Sequence, residues 1–594
     1  MSGEPTITQD AQQVSFSHRP LIRGTTGMVV SGHHLATQAG VRILEKGGNA
    51  IDAGVATGIC LSVLQSDMVS FAGVAPIMVY LSNTNEIKTI SGLGPWPKIA
   101  SVDYFTENFG GEIPEGIQRT VVPAAPDAWI QALKYYGTMS FEEVTRDAIY
   151  WAEQGFPMHQ FMSKTLKVKV NSYRRWPSSA EIYLPRGRSP EPGEIFVQRD
   201  LAETLKRMVR MEQKRKFSGR NAALHAARDE FYKGEIAEAI LDFHKKNDGL
   251  LRRHDLEDFQ CTIEEPLKTS YKDCDIYSCR PWCQGPVILQ VLNILEGFDL
   301  KFLGHNSSEY IHLVSEALNL AYSDREEFFG DPDFVDVPIE GLLSKKYAEI
   351  RRMLIDKDKA WTEMPPAGDP WKIQHSGTRQ SKVDQHQPDS SAKEGKNDKS
   401  FGTSYVCVVD KYGNAFSATP SDFSFTTPII PQTGLAVSAR GDQSWVDHNH
   451  PSSIHGGKRP RLTPNPSIAF RKGQLFMPFG SPGGDVQCQA MLQVFLNIVE
   501  FQMDPQIAVE APRFATFNFP NSFFPHDYRP GLLNMEKRFK DSIFSQLQQK
   551  GHNLEWWPDW AWQAGAVCVI VNDPINGVLL GAADPRRESY ALGW

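Results

Sequence analysis

One junction restricts the folding of this chain more than any other. A polar tract ending in Lys396-Asn-Asp-Lys-Ser400 runs into Phe401-Gly402-Thr403, and a hydrophobic strand, Tyr405-Val-Cys-Val-Val409, begins at once. Scission of the Gly402–Thr403 bond would leave Thr403 with a free α-amine beside its own hydroxyl. A threonine hydroxyl is a weak nucleophile alone, and an adjacent amine can take its proton. An α-amine titrates near pH ~8, so enough of it is unprotonated at neutral pH to act as a base. A Gly-Thr pair before a strand is also what a plain loop-to-strand junction contains, since glycine favours loop ends and threonine favours strands. The pair therefore needs support from the rest of the chain.

The 594 residues could form two to four ordinary domains, or one large fold in two intertwined halves. A hydrophobic content of 41% can fill a sizeable core, and a formal net charge of −8 argues against a nucleic-acid partner. The basic run Lys206–Lys216 reads as a solvated helix face. Eight cysteines lie scattered without a CxxC pair, so no zinc site is expected from them, and their modest number in so long a chain suits a reducing compartment. No signal-peptide pattern and no long apolar run is visible. These features predict a cytoplasmic protein with no membrane partner, no metal and no cofactor.

Residues 1–25 read as a loose arm. A short apolar run, Met28-Val-Val30, precedes an amphipathic helix over 36–46 that stops at Gly47-Gly48. Asp52 opens a nearly all-apolar helix over 53–64, and strand-like segments follow at 76–81 and 87–90. Residues 125–365 read as mostly helical, with a capping box at Ser140-Phe-Glu-Glu143. Residues 365–400 have almost nothing to bury and form the one clear linker. Beyond Thr403 strands and tight turns dominate: 405–409 and 415–418 about Tyr412-Gly413-Asn414, then 467–470, 475–479, a helix over 486–500, and 566–571 with 578–580. Sheets between helical layers, in one body divided at the linker, accommodate this order.

Acyl transfer by a hydroxyl needs a nucleophile, a base and donors for the oxyanion. Thr403 would supply the first two. Gly480-Ser-Pro-Gly-Gly484 lies between a strand and the 486–500 helix, where Gly483 and Gly484 could present consecutive backbone N–H groups. The same tract also reads as an ordinary strand-to-helix turn.

At this point the chain resembles the γ-glutamyltranspeptidases. The tracts that carry the resemblance include Gly27-Met-Val-Val-Ser-Gly-His-His34, Gly47-Gly-Asn-Ala-Ile-Asp-Ala53, Ala152-Glu-Gln-Gly-Phe-Pro157, Ala321-Tyr-Ser-Asp-Arg325, Gly330-Asp-Pro-Asp-Phe334, Gly480–Gly484 and Ala582-Ala-Asp-Pro-Arg-Arg587. The Gly402-Thr403 junction has the family spacing to Asp410-Lys-Tyr-Gly-Asn414. The resemblance implies an α+β fold, the N-terminal-nucleophile αββα four-layer sandwich. It also implies a precursor cut before Thr403 into a large subunit (1–402) and a small one (403–594). Thr403 would be the nucleophile, Gly483 and Gly484 the oxyanion hole, and Ser421 the supporting hydroxyl where the family commonly has threonine.

The glutamyl-reading positions differ from the family pattern. Its carboxylate-pairing arginine falls on Leu93, a pocket asparagine on Phe423, and the carboxylate that holds the α-amino group on Gln443, beside Asp442. Its paired serines fall on Leu462 and Thr463. A buried charge without its partner costs several kcal/mol, which lowers discrimination by orders of magnitude. The expectation is an amidohydrolase or acyltransferase for a small-molecule amide with an acyl group other than γ-glutamyl, as in the related cephalosporin acylases and oxamate amidohydrolases. Arg440 and Arg461 are candidates to anchor a carboxylate, and equally candidates for structural roles. Asp447-His-Asn-His450 with His455 lacks ligand spacing and reads as a loop near the pocket entrance. Two alternatives stay open: a true glutathione hydrolase, and an inert binding scaffold on the same fold. Oligomeric state is open as well.

Overall fold

The computed structural model describes residues 17–374 and 402–594. Two seven-stranded sheets lie face to face, each covered on its outer side by helices, as the αββα expectation requires. Val406–Asp410 runs through the middle of one sheet, antiparallel to Gly27–Ser31 on one side and to Ala415–Ala418 on the other. Its residues alternate as a strand buried on both faces must. Tyr405, Cys407 and Val409 point into an apolar layer shared with Ile468, Phe470, Cys568 and Ile570 of the other sheet. Val406 and Val408 point to the helical layer built on Ala50–Leu64. Helices Gly285–Leu295, Ser308–Phe328 and Val486–Val499 cover the far face of the second sheet.

The helix expected from Asp52 begins earlier, at Ala50. Asn49 caps it and Asp52 completes the capping box. The capping box at Ser140 and Glu143 forms as expected. Three readings need correction. Residues 17–25 are not a loose arm: Ile22–Gly24 pairs with Leu579–Gly581 at a sheet edge, and the backbone N–H groups of His18 and Arg19 donate to Glu510. Residues 1–16 lie outside the described residues. The helical span 125–365 also contains the hairpin Leu267–Tyr271 and Cys274–Ser278, which forms the other edge of the second sheet. Finally, the stretch assigned to the linker is packed as far as Gln374. Gly368 N–H donates to Asp324, Arg351 donates to the Pro366 carbonyl, and Trp371 rests on the core. Residues 375–401 lie outside the described residues. No helix among the described residues is long and apolar enough to cross a membrane.

The 410–414 turn is fastened to the helical layer through one carboxylate. Asp410 accepts from the N–H groups of Tyr412 (2.8 Å) and Asn414 (3.1 Å), from Asn414 Nδ2 (2.9 Å), and from the Ala50 N–H at the start of its helix (2.9 Å). Asp410→Ala leaves these buried donors unmet, a loss of roughly 2–4 kcal/mol. The expected result is a thermal midpoint several degrees lower, read by calorimetry.

Candidate active site

The register of the central hairpin brings the site together. Val406 opposes Ala418, the Ser404 N–H donates to the Pro420 carbonyl, and the same register puts Thr403 opposite Ser421. Their hydroxyls stand 2.8 Å apart. Ser421 is held from its other side by a backbone bridge to Val74. Thr403 Oγ1 also lies against the Gly402 carbonyl oxygen, and Ser421 Oγ is 3.2 Å from that same oxygen. The hydroxyl of residue 403 therefore faces the carbonyl of the bond that precedes it. Gly402 packs so closely on the Phe423 ring that a Cβ there would come within 2.2 Å of Cε1.

Arg440 completes the arrangement. It is fully buried, with its guanidinium over the rings of Phe423 (4.9 Å) and Phe523 (5.5 Å), and its Nη2 donates to Ser421 Oγ. Because that donation occupies a Ser421 lone pair, the serine's own proton is directed to Thr403 Oγ1 or the Gly402 oxygen. Asp422 Oδ2 lies 3.8 Å from Arg440 Nε. Burial pushes the Asp422 carboxyl up, and Arg440 opposes this. Asp422 has φ of +152°, a strained value for an L residue. It is held there by donation from Ser438 Oγ (2.6 Å) and the Ala439 N–H (3.0 Å). Arg440 Nη1 has no hydrogen-bond partner among the described residues.

The other expected residues divide by surroundings. Gly483 and Gly484 have φ of +130° and +57°, conformations that favour glycine. Pro482, immediately before them, lines the same small cavity as Thr403 and Arg587. Leu93 is packed in an apolar cluster with Val74, Cys279, Trp282, Cys283 and Leu462. Gln443 Nε2 donates to Thr463 Oγ1 (3.0 Å), and its Oε1 has no hydrogen-bond partner among the described residues. Asp442 is turned to Arg119 (3.3 Å).

Arg461 does not share the setting of Arg440. It donates to both oxygens of Glu326 and to the Arg325 carbonyl. Burial alone would raise the Glu326 carboxyl, but Arg461 and Arg325 hold it well below the usual range. Arg325 in turn grips Asp485 (2.5 Å), directly after Gly484, and Tyr322 donates to the Asp485 carbonyl. Gln284 Nε2 bridges the carbonyls of Thr463 and Gly484. The chain Arg461–Glu326–Arg325–Asp485 thus fixes the glycine turn, which accounts physically for the Ala321–Arg325 tract. His450 stacks on Trp445, His448 meets Asp103, and His455 turns to the Gly456 carbonyl, so these histidines do not converge.

Sequence reading missed one neighbour of Thr403 and a buried acid beyond it. Arg587 Nη1 donates to the Thr403 carbonyl (3.4 Å), and only the Ala582–Arg587 tract hinted at it. Asp67 is fully buried and interacts electrostatically with Arg587; burial pushes its carboxyl up to about 7, with Thr165 and Arg587 opposing.

Comparison with known proteins places this geometry in a family. The sequence profile described as Gamma-glutamyltranspeptidase matches residues 36–594. The chain is 30% identical over 574 residues to the glutathione hydrolase-like YwrD proenzyme of Bacillus subtilis (strain 168), covering 96% of this chain and 99% of that one. It is 31% identical to the acylase ACY 1 proenzyme of Pseudomonas sp. (strain V22), covering 95% and 93%. The crystal structure of cephalosporin acylase from Bacillus halodurans superposes with a TM-score of 0.83 at 28% identity, covering 99% of both chains. The fold and site define an N-terminal-nucleophile hydrolase. The chain belongs to the γ-glutamyltranspeptidase family of hydrolytic and acyl-transferring enzymes.

Asp67 makes a pH prediction. An unfolded aspartate titrates near ~4, whereas the folded carboxyl titrates at about 7. Between these values the folded state keeps a proton that the unfolded chain has lost, so this residue's contribution to stability falls as pH rises and levels off above. Asp67→Asn should flatten the pH dependence of the thermal midpoint and gain on the wild type toward alkaline pH. Parallel curves for the two proteins would refute this.

Proposed function

We propose that the chain is an autoprocessing amidohydrolase or acyltransferase, with Thr403 as nucleophile and an acyl group other than γ-glutamyl as substrate. The observation that carries this reading is the Thr403 hydroxyl against the Gly402 carbonyl, with Ser421 touching both. Attack of Oγ1 on that carbonyl forms an ester and releases the Thr403 nitrogen as a free amine. Water then cleaves the ester, leaving a Gly402 carboxylate and a small subunit that begins at Thr403. In turnover the α-amine takes the hydroxyl proton, Oγ1 attacks the substrate amide, and the leaving amine receives the proton. Ser421 and the N–H groups of Gly483 and Gly484 steady the developing oxyanion. Water or an amine then accepts the acyl group.

The precursor's own acyl group marks the pocket. Where Gly402 now sits, a substrate's acyl carbonyl would sit in the matured enzyme, with its first carbon against Phe423 and its far end toward Arg440. An Arg440 guanidinium with an unused N–H suits a carboxylate. Leu93 and Leu462 suit an apolar stem and provide no charge for a glutamyl head. Arg440 therefore serves as the anchor in this reading, while Gln443 and Thr463 form a neutral polar wall. Asp442 and Arg461 are occupied by Arg119 and Glu326, which argues for structural roles.

Glutaryl and γ-glutamyl p-nitroanilides differ by a single ammonium group and test the acyl preference. The glutaryl compound should have a kcat/KM at least roughly tenfold higher, since an unmet buried charge costs more than 1.4 kcal/mol. Equal or better turnover of the γ-glutamyl compound would restore the glutathione-hydrolase alternative. Thr403→Ala should remain one full-length band and be inert. A wild-type protein that also stays uncut and inactive would indicate the scaffold reading instead.

A further inference from the structure

Far along the sequence from the nucleophile, three ligand-type side chains converge in the interior. His312 and Glu316 stand one turn apart on the inward face of helix Ser308–Phe328, and His552 follows helix Asp541–Gln549 after a turn at Gly551 (φ +97°). Their exposures are 2%, 0% and 5%. One ligand atom from each, two imidazole nitrogens and a carboxylate oxygen, lie within 4.8 Å of one another.

No cation donates a hydrogen bond to this cluster among the described residues: the Lys550 ammonium acts on both histidines through space but donates to the Lys357 carbonyl. His312 Nε2 lies 2.8 Å from the Asp356 carbonyl, which can only accept, so Nε2 carries the proton and Nδ1 presents a lone pair. That lone pair points at His552 Nε2, 2.9 Å away. Glu316 forms no ion pair among the described residues; its oxygens accept only from Asn319 Nδ2 (3.2 Å) and the Trp361 N–H (3.2 Å). Two imidazoles meeting nitrogen to nitrogen, their planes 74° apart, beside a buried acid is a poor arrangement for isolated side chains, because each ring nitrogen serves the other in place of a charged partner. It is a good arrangement around a cation. The bond from His312 Nε2–H to a backbone carbonyl is the support that metal-ligating histidines usually have behind them.

We propose that His312, Glu316 and His552 form a binding site for a divalent transition-metal ion, with zinc the best match to two imidazole nitrogens and one carboxylate oxygen. Nitrogens on a tetrahedral zinc stand about 3.3 Å apart, so the two rings need to separate by only a few tenths of an ångström. The ion takes the place of the proton between the rings; that proton shifts to His552 Nδ1, so both imidazoles ligate as neutral rings. His312 and Glu316 precede the Gly402–Thr403 bond and His552 follows it. Once that bond is cut, the ion clamps the large piece to the small one. The site stands without the scission; only the clamp rests on the proposed maturation.

Wild-type protein stripped with a chelator and given Zn2+ should keep about one ion per chain through desalting. Its thermal midpoint should rise by several degrees, since an ion bound only by the folded state stabilises it. A map of zinc-soaked crystals at the metal's absorption edge should place the ion among the three side chains. His552→Gln should lose both the ion and the rise. The uncut Thr403→Ala protein should bind as the wild type does, which separates this test from the maturation reading. No retained zinc in the wild type, undiminished retention in a His312→Gln, His552→Gln double variant, or an anomalous peak elsewhere would each overturn the site. If the variants fail to fold, the wild-type map decides alone.

Discussion

The antiparallel pairing of Val406–Asp410 with Ala415–Ala418 is the interaction on which the other features depend. Side chains in a strand alternate faces, so a slip of one residue would turn Thr403 away from Ser421 and put Cys407 among the helices. Several fixtures oppose that slip. The Asp410 carboxylate closes the turn, Gly27–Ser31 pairs along the other edge, and Val74 bridges to Ser421. The apolar layers on both faces accept only one phase of the strand. The hydroxyl pair is held by a backbone ladder through the centre of a sheet, which is a stiffer support than a loop.

Around that pair the charges are arranged economically. A buried guanidinium is costly unless its donors are used. Arg440 uses one on Ser421, has Asp422 nearby at 3.8 Å, and lays its flat faces against Phe423 and Phe523. The stacking compensates part of the desolvation without consuming N–H groups. Asp422 bears a strained backbone to be there, and its bonds from Ser438 and Ala439 hold that strain. Arginine is the side chain that can stack, polarise a serine and still present a donor.

How much of this was legible in the sequence depended on range. Short apolar runs beside turn residues marked the strands at 405–409 and 475–479, and glycine stops and capping residues marked the first helices, because those signals are local. The hairpin at 267–278 was absorbed into a helical reading because its neighbours in the sheet, Ser467–Arg471, come almost two hundred residues later. Arg440 and Arg461 look alike in the sequence and were given the same candidate role. They part company because Glu326, supplied by a distant helix, meets one and not the other. Arg587 at Thr403 and the His312–His552 contact are long-range in the same way, and no local pattern announces them. The pairing of Thr403 with Ser421 and the glycine turn were legible through the family resemblance, whereas the strain at Asp422 was not.

The altered pocket positions have repacked against one another, and this bears on whether the pocket has decayed. Loss without selection tends to leave buried polar groups facing apolar replacements. Here Leu93 and Leu462 lie in one cluster closed by Val74, Trp282 and two cysteines, so the two apolar residues cover each other. Gln443 and Thr463 likewise meet as a donor and acceptor at 3.0 Å. Polar atoms of this set that lack a hydrogen-bond partner among the described residues include Arg440 Nη1, a donor, and Gln443 Oε1, an acceptor. A bound substrate can satisfy both, while an empty scaffold would bear their desolvation for nothing. That asymmetry supports the proposed substrate-binding reading over the empty scaffold.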